Sequence, residues 1–263
     1  MALNFGRAPN TRQILRQAYS ANATQFFNRI TDPGTTRKNA YAAIIDSLVA
    51  NGIWAKLDAF YILAADISAN ALVNLKSSSY TITVHGSPIF TTDQGYAGTG
   101  SSADYLDTGF DAGTAGGNFS QNSAHLGYWN RNAGAADSLP VMGNTASGAS
   151  GESHMYPHLG ADFYCRLNDN VSGGNFGGAS PASVVGFQLG NRSTSTALQA
   201  YHNGSSFASQ SVTSAAVISA TMKILSMGGS SPTDQVAVAT FGGSLDATNN
   251  SDFYTALNTN KWW

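Results

Sequence analysis

The chain divides by the period of its apolar residues. Tyr41, Ile44, Ile45, Leu48 and Val49 fall at i, i+3, i+4, i+7 and i+8, which predicts one face of a helix. Thr35 or Thr36 can cap its start, and Gly52 can close its end in the left-handed conformation. A second helix is expected through Trp54, Leu57, Phe60 and Tyr61, whose spacings are again three and four. Shorter helical stretches are expected around Ile14, Leu15 and Ala18, and at Phe26, Phe27 and Ile30 before the Asp32-Pro33-Gly34 turn.

After Lys76 the period becomes two. Tyr80, Ile82 and Val84 alternate with Thr81, Thr83 and His85. Further strands are expected at 105–108, 124–129, 140–143, 162–168, 183–189, 198–202, 207–212, 222–227 and 236–241. The Gly, Ser and Asn punctuation between them is the spacing a β-sandwich requires. Asn203-Gly204 lies between two strand-like runs and predicts a tight hairpin, because both residues accept positive φ. The Gly/Ser stretches at 112–117, 145–153 and 171–182 read as loops or arms. Ser251 is placed to cap a last short helix carrying Phe253, Tyr254 and Leu257. Trp262 and Trp263 close the sequence and are expected to pack into the sandwich or a neighbour. Three regions follow: a helical anchoring or oligomerisation region at 1–76, a β-sandwich at 77–247, and a C-terminal helix with an aromatic tail at 248–263.

Composition narrows the class. Only 11% of residues are charged, against roughly 25% in an ordinary soluble domain. The surface is therefore covered by neutral polar groups, which suits an extracellular or particle-bound protein. Charge is also uneven. Residues 1–76 hold eight Lys/Arg against four Asp/Glu, and the remainder five against eleven. A basic N-terminal region could dock on an acidic partner, although charge of this kind also serves simply as a solvated helix face. The acidic sandwich disfavours nucleic acid. The Gly-Gly runs lack the following Lys-Ser/Thr of a phosphate loop. Cys165 is the sole cysteine, so no intrachain disulfide can form, and its place in Phe163-Tyr164-Cys165-Arg166-Leu167 suits a small core residue. No apolar run reaches the roughly 18 residues of a membrane span, and the start does not resemble a signal peptide. Synthesis in a host cytoplasm followed by assembly into a particle fits both observations.

Two segments carry a resemblance. Gly95-Tyr96-Ala97-Gly98-Thr99-Gly100-Ser101-Ser102-Ala103-Asp104-Tyr105-Leu106-Asp107-Thr108 resembles the early strand pair of laminin-G-like and concanavalin-A-like jelly rolls. Leu198-Gln199-Ala200-Tyr201-His202-Asn203-Gly204 resembles the Asn-Gly hairpin of the same superfamily. A longer pattern runs through Trp54-Ala55-Lys56-Leu57-Asp58-Ala59-Phe60-Tyr61, Ala71-Leu72-Val73-Asn74-Leu75-Lys76, Ser87-Pro88-Ile89-Phe90 and Tyr105-Leu106-Asp107-Thr108-Gly109-Phe110. It is similar to a group of phage and prophage virion proteins. The resemblance implies a mainly β fold, an antiparallel jelly-roll β-sandwich preceded by a small α-helical N-terminal region. It also implies binding of glycans, a part in building a virion, or hydrolysis of β-glucans.

The residues weigh these activities. A glucanase of this superfamily carries a Glu-x-Asp-x-x-Glu strand, and glycoside hydrolysis needs paired carboxylates. This chain has one glutamate, Glu152, in a Gly/Ser loop, and Asp104 and Asp107 are three apart and would point to opposite faces of a strand. Asp104, Asp107 and Asp111 are candidates for Ca²⁺, or else turn carboxylates bonding backbone amides. His154, His158 and Asp162 have zinc spacing only on a helix, which Pro157 and nearby glycines oppose. Glycan binding wants aromatic faces and amide or guanidinium groups. Tyr128, Trp129, Asn130, Arg131, Tyr156, Arg192, Tyr201 and Asn203 supply them, while the aromatic residues among them could equally be core.

The sequence therefore leads us to expect a non-enzymatic virion component exposed as decoration, fibre or host-attachment adhesin, with a host surface glycan as candidate ligand. Its partners would be capsid, collar or tail proteins and further copies of itself, a trimer being one candidate. Trp54, Phe60, Trp262 and Trp263 are the expected oligomer or particle interface. A free lectin-like carbohydrate-binding protein is the alternative, and a glycan hydrolase the third.

Overall fold

The computed structural model describes residues 18–132, 134, 138–146, 150–159, 162–169, 176, 179–227 and 229–263. The stretch around Ile14 and Leu15, most of 171–182 and the side chain of His158 lie outside that set.

Helices α1 (Ala21–Phe27), α2 (Thr35–Ala50) and the single turn α3 (Ile53–Lys56) come first. Tyr41, Ile44, Ile45 and Leu48 of α2 are buried as their spacing predicts, while Val49 is 42% exposed. Neither threonine caps α2. Gly34 precedes it at φ 84°, and Asp32 Oδ1 accepts the Gly34 N–H at 2.9 Å. Gly52 follows α2 in the left-handed conformation, as expected.

The second expected helix stops after one turn. Residues Leu57–Ile62 form a strand, β1, antiparallel to β14 (Gln235–Gly242), with Phe60 opposite Thr240. The reason is burial on two faces. Ala59 and Tyr61 join the core between the sheets, and Leu57, Phe60 and Ile62 join the core beneath the helices. An apolar run buried on both faces reads alike as strand or helix. This pairing crosses the boundary expected after residue 76.

The remaining strands are β2 (Thr83–His85), β3 (Ile89–Thr91), β4 (Gly95–Ala97), β5 (Tyr105–Asp111), β6 (Ala124–Asn130) and β7 (Met142–Asn144). They continue with β8 (Glu152–Leu159), β9 (Asp162–Asp169), β10 (Gly186–Arg192), β11 (Ala197–His202), β12 (Ser205–Ser211) and β13 (Thr221–Ile224). The larger sheet runs β12-β11-β10-β6-β14-β4-β3, with β1 also paired to β14, and the smaller runs β2-β5-β13-β7-β8-β9. The named pairs are antiparallel, so the fold is the expected β-sandwich. Asn203 at φ 49° and Gly204 at φ 78° make the expected hairpin between β11 and β12. The segment compared with the early strand pair opens on a short strand, β4, at Gly95. A Cβ on Gly95 would stand 2.0 Å from the Val236 carbonyl oxygen, so only glycine permits this approach.

A third layer covers the outer face of the larger sheet. It is built from α2 and α5 (Ala247–Asn260), with Phe253 and Leu257 of α5 buried against Phe60, Phe187 and Val238. Strands β6, β10 and β14 are consequently buried almost throughout. The cap of α5 is Asp246, which forms a reciprocal capping box with Asn249, rather than Ser251. Among the described residues no helix is long and apolar enough to cross a membrane.

Candidate functional site

The interface expected at four aromatic residues is largely filled from within. Phe60 is fully buried and meets Phe253 edge-on at 5.6 Å. Trp54 is buried with Lys76 Nζ 5.1 Å from its ring centroid. Trp262 and Trp263 fold back on the helical layer. Trp262 Nε1 donates to the Ala64 carbonyl at 2.8 Å, and its ring lies 4.5 Å from Tyr41.

The candidate ligand-binding residues separate into two groups. Tyr128 is fully buried between the sheets, because its side of β6 faces the inter-sheet core. Tyr201 is buried and donates its hydroxyl to Gln199 Oε1 at 2.9 Å. Arg192 is fully buried too. Its guanidinium donates to the carbonyls of Leu167 and Val212, the latter at 2.8 Å, so it ties β9 and the end of β12 to β10. Burial lowers its pKa. Tyr156 lies on the smaller sheet, packed edge-on to Tyr164 at 5.5 Å. These four do not share a surface.

Trp129, Arg131 and Asn203 do. The end of β6, the start of β10 and the Asn203-Gly204 turn lie at one end of the larger sheet, where α5 passes over them. They enclose a cleft of about 300 Å³. Its floor is aromatic. Trp129 stacks on Tyr254 at 5.9 Å and 13°, and meets Trp263 edge-on at 6.0 Å. Lys261 Nζ lies 4.7 Å from the Trp129 centroid and donates to Asn258 Oδ1 at 2.7 Å. Asn203 Oδ1 accepts the Phe187 N–H at 2.9 Å, and Gly186 makes room for that amide. Arg131 Nη1 donates to the Asp93 carbonyl at 3.0 Å.

Sequence reading missed half of this cleft. Tyr254, Asn258 and Lys261 recur at i, i+4 and i+7, so they form one stripe beside the buried stripe of Phe253 and Leu257. That spacing was the available signal. That the stripe would meet β6 was not encoded locally.

The other candidate chemistry is engaged elsewhere. Glu152, read as a loop residue, opens β8 and is 2% exposed. It accepts from Thr145 Oγ1 at 2.6 Å and Ala146 N at 3.0 Å, and pairs with Arg166 Nη1 at 3.4 Å. Arg166 Nε also bonds Asp169 Oδ1 at 2.5 Å. Burial raises the pKa of Asp169, and Arg166 opposes that shift. Asp104 accepts from Ser87 N at 2.7 Å and from Thr99 Oγ1, bonds that hold its pKa below the ordinary carboxylate value. Asp107 accepts from Gly109 N at 2.9 Å, and Asp111 from Gly113 N at 2.9 Å and Ser219 Oγ at 2.6 Å. Among the described residues no three His, Cys, Asp or Glu side chains gather as a metal site. Cys165 is buried, and burial pushes its thiol pKa up.

No protein-family model matches the chain, and no curated protein is similar to it in sequence. Solved structures do match. Domain 4 of an extracellular arabinanase from Geobacillus stearothermophilus, in complex with arabinotriose, is 12% identical at a TM-score of 0.53, over 76% of this chain and 98% of that one. A botulinum neurotoxin type C structure, whose cell entry depends on two ganglioside molecules, is 10% identical at 0.58 over 79% of this chain and 53% of the other. The binding domain of botulinum neurotoxin DC, in complex with rat synaptotagmin II, is 13% identical at 0.55, over 78% and 52%. This chain has their β-sandwich fold. It spans nearly all of the arabinanase domain and about half of each toxin chain.

Proposed function

We propose that the chain is a non-catalytic carbohydrate-binding β-sandwich whose sugar sits in the cleft beside Trp129. The observation that carries this reading is the convergence of Trp129, Tyr254 and Trp263 with Arg131, Asn203 and Asn258 around one opening of sugar size. Aromatic floors take the apolar faces of sugar rings, and a few placed polar groups fix orientation. The arabinotriose complex and the ganglioside dependence of two proteins sharing the fold support the same reading. A non-catalytic role is supported by the placement of Glu152, which is buried and paired to Arg166.

The finer reading is that the sandwich is carried on a phage particle as decoration, fibre or adhesin, in several copies and alongside capsid, collar or tail proteins. Its support is the sequence resemblance to phage and prophage virion proteins in segments running from Trp54 to Phe110. The alternative is a free lectin-like protein of the same binding chemistry. Antibody against the chain labelling intact particles favours the virion reading, and signal confined to the soluble fraction favours the lectin.

Binding itself is tested by tryptophan fluorescence. Trp129 and Trp263 line the cleft, so a bound oligosaccharide should shift or quench emission with saturation. A chain that binds no sugar on a broad glycan array would overturn the reading.

A further inference from the structure

We infer that the sugar taken by this cleft is acidic, carrying a carboxylate or sulfate that Arg131 and Lys261 hold. The inference rests on the carbohydrate reading and concerns the class of ligand.

Hydrogen-bond donors outnumber acceptors around the cleft. Arg131 presents a guanidinium and Lys261 an ammonium, neither of which can accept. Asn203 and Asn258 could in principle accept through their carbonyl oxygens. Asn203 Oδ1, however, already accepts the Phe187 N–H and Asn258 Oδ1 already accepts from Lys261 Nζ, at 2.9 Å and 2.7 Å, so half of their accepting capacity is used. Each amide therefore offers a ligand its NH₂ group and at most one remaining lone pair. The indoles of Trp129 and Trp263 only donate. Among the described lining side chains, the acceptors left are the Tyr254 hydroxyl and one lone pair on each amide oxygen, against the donors of Arg131, Lys261, two amides and two indoles.

Charge points the same way. No Asp or Glu side chain lines the cleft among the described residues. The described ion pairs use Arg37, Lys38, Lys56 and Arg166, and neither Arg131 nor Lys261 is among them. Two cations thus share one opening of about 300 Å³.

A neutral sugar uses this surplus of donors and positive charge less fully than an acidic one. Each hydroxyl brings a hydrogen that needs an acceptor, and one buried without an acceptor costs the desolvation of that group. An acid group brings acceptors alone. It can take Arg131, Lys261 and an amide NH₂ together, through charge-assisted bonds stronger than neutral ones.

The test uses the full chain on an array printed with neutral, carboxylated and sulfated oligosaccharides on shared cores. Titrations of the best probes then follow in low and high NaCl. Arg131→Gln and Lys261→Gln are measured alongside, with their melting curves to establish that they fold. The expected result is binding to acidic members over their neutral cores, weakened about tenfold or more by either substitution. It should also weaken as salt rises. Carboxylated and sulfated spots then say which acid group fits. Binding of neutral members without preference for acidic ones would overturn this inference and leave the carbohydrate reading standing. So would acidic binding unaffected in folded Arg131→Gln and Lys261→Gln. An array with no bound member would overturn both.

Discussion

The indole of Trp129 and the phenol ring of Tyr254 stack 5.9 Å apart at 13°, and this contact joins strand β6 to helix α5. It builds the floor of the cleft and ties the C-terminal layer to the sheet. Tyr254→Ala should therefore lower stability by about 1 to 2 kcal/mol and weaken sugar binding at least about fivefold. Tyr254→Phe keeps the ring and should retain the stability. Thermal melts and fluorescence titrations of both variants check this. Equal stability of Ala and Phe variants would count against the stacking role.

Phe60 makes the N-terminal region inseparable from the sheet. Its ring is fully buried between β14 and α5. Phe60→Ala should cost about 3 to 5 kcal/mol in denaturant unfolding. Deleting residues 1–76 removes β1 altogether and exposes one edge of β14, so that fragment should not fold cooperatively. A soluble, sharply melting fragment 77–263 would show that β1 is dispensable.

Cys165 occupies the space a side chain at position 190 would need. A Cβ on Gly190 would lie 2.2 Å from Cys165 Sγ, so strand β9 packs on β10 through a sulfur against a bare backbone. Gly190→Ala should destabilise by about 1 to 3 kcal/mol. Adding Cys165→Ala should recover part of that loss, giving a double-mutant cycle with a coupling of roughly 0.5 to 3 kcal/mol. Additive effects would mean the strands yield rather than clash.

Two buried histidines set an acid limit. Burial holds His125 at a pKa of about 4, with Nδ1 2.6 Å from the Gly243 carbonyl oxygen. His154 is also lowered to about 4, by burial first and then by Arg166, against the opposing charge of Glu152. An unfolded imidazole titrates near 6.5. Between pH 6.5 and about 4 the unfolded chain binds more protons, so stability falls as pH falls through that window. Each histidine contributes up to about 3 kcal/mol of that fall. Denaturation midpoints measured from pH 7 to 4 should show the decline, and His125→Gln should flatten it. A midpoint constant across this range would refute the assignment.

The legible parts of this protein were those carried by a local period. Tyr41, Ile44, Ile45 and Leu48 announced the buried face of α2, and Asn203-Gly204 announced its hairpin. Within the site, Trp129, Arg131 and Asn203 were recognised by residue type. Tyr128, Tyr201 and Arg192 were indistinguishable from them by type, because residue type alone does not say which face of a strand is covered. Trp129 and Tyr128 are chain neighbours, and alternation sends one toward the helices and the other between the sheets.

By itself, then, the sequence determined the β-sandwich, most of its strands, the helix at 35–50 and the scarcity of carboxylates for hydrolysis. Backbone geometry ties those features to residues a few positions apart. The tertiary structure decided that residues 57–62 are a strand, because pairing with β14 and burial on both faces outweigh a spacing that also suits a helix. It also decided where the cleft lies. Trp129 and Lys261 stand more than a hundred residues apart in the chain, and only the packing of α5 across β6 puts an ammonium over an indole.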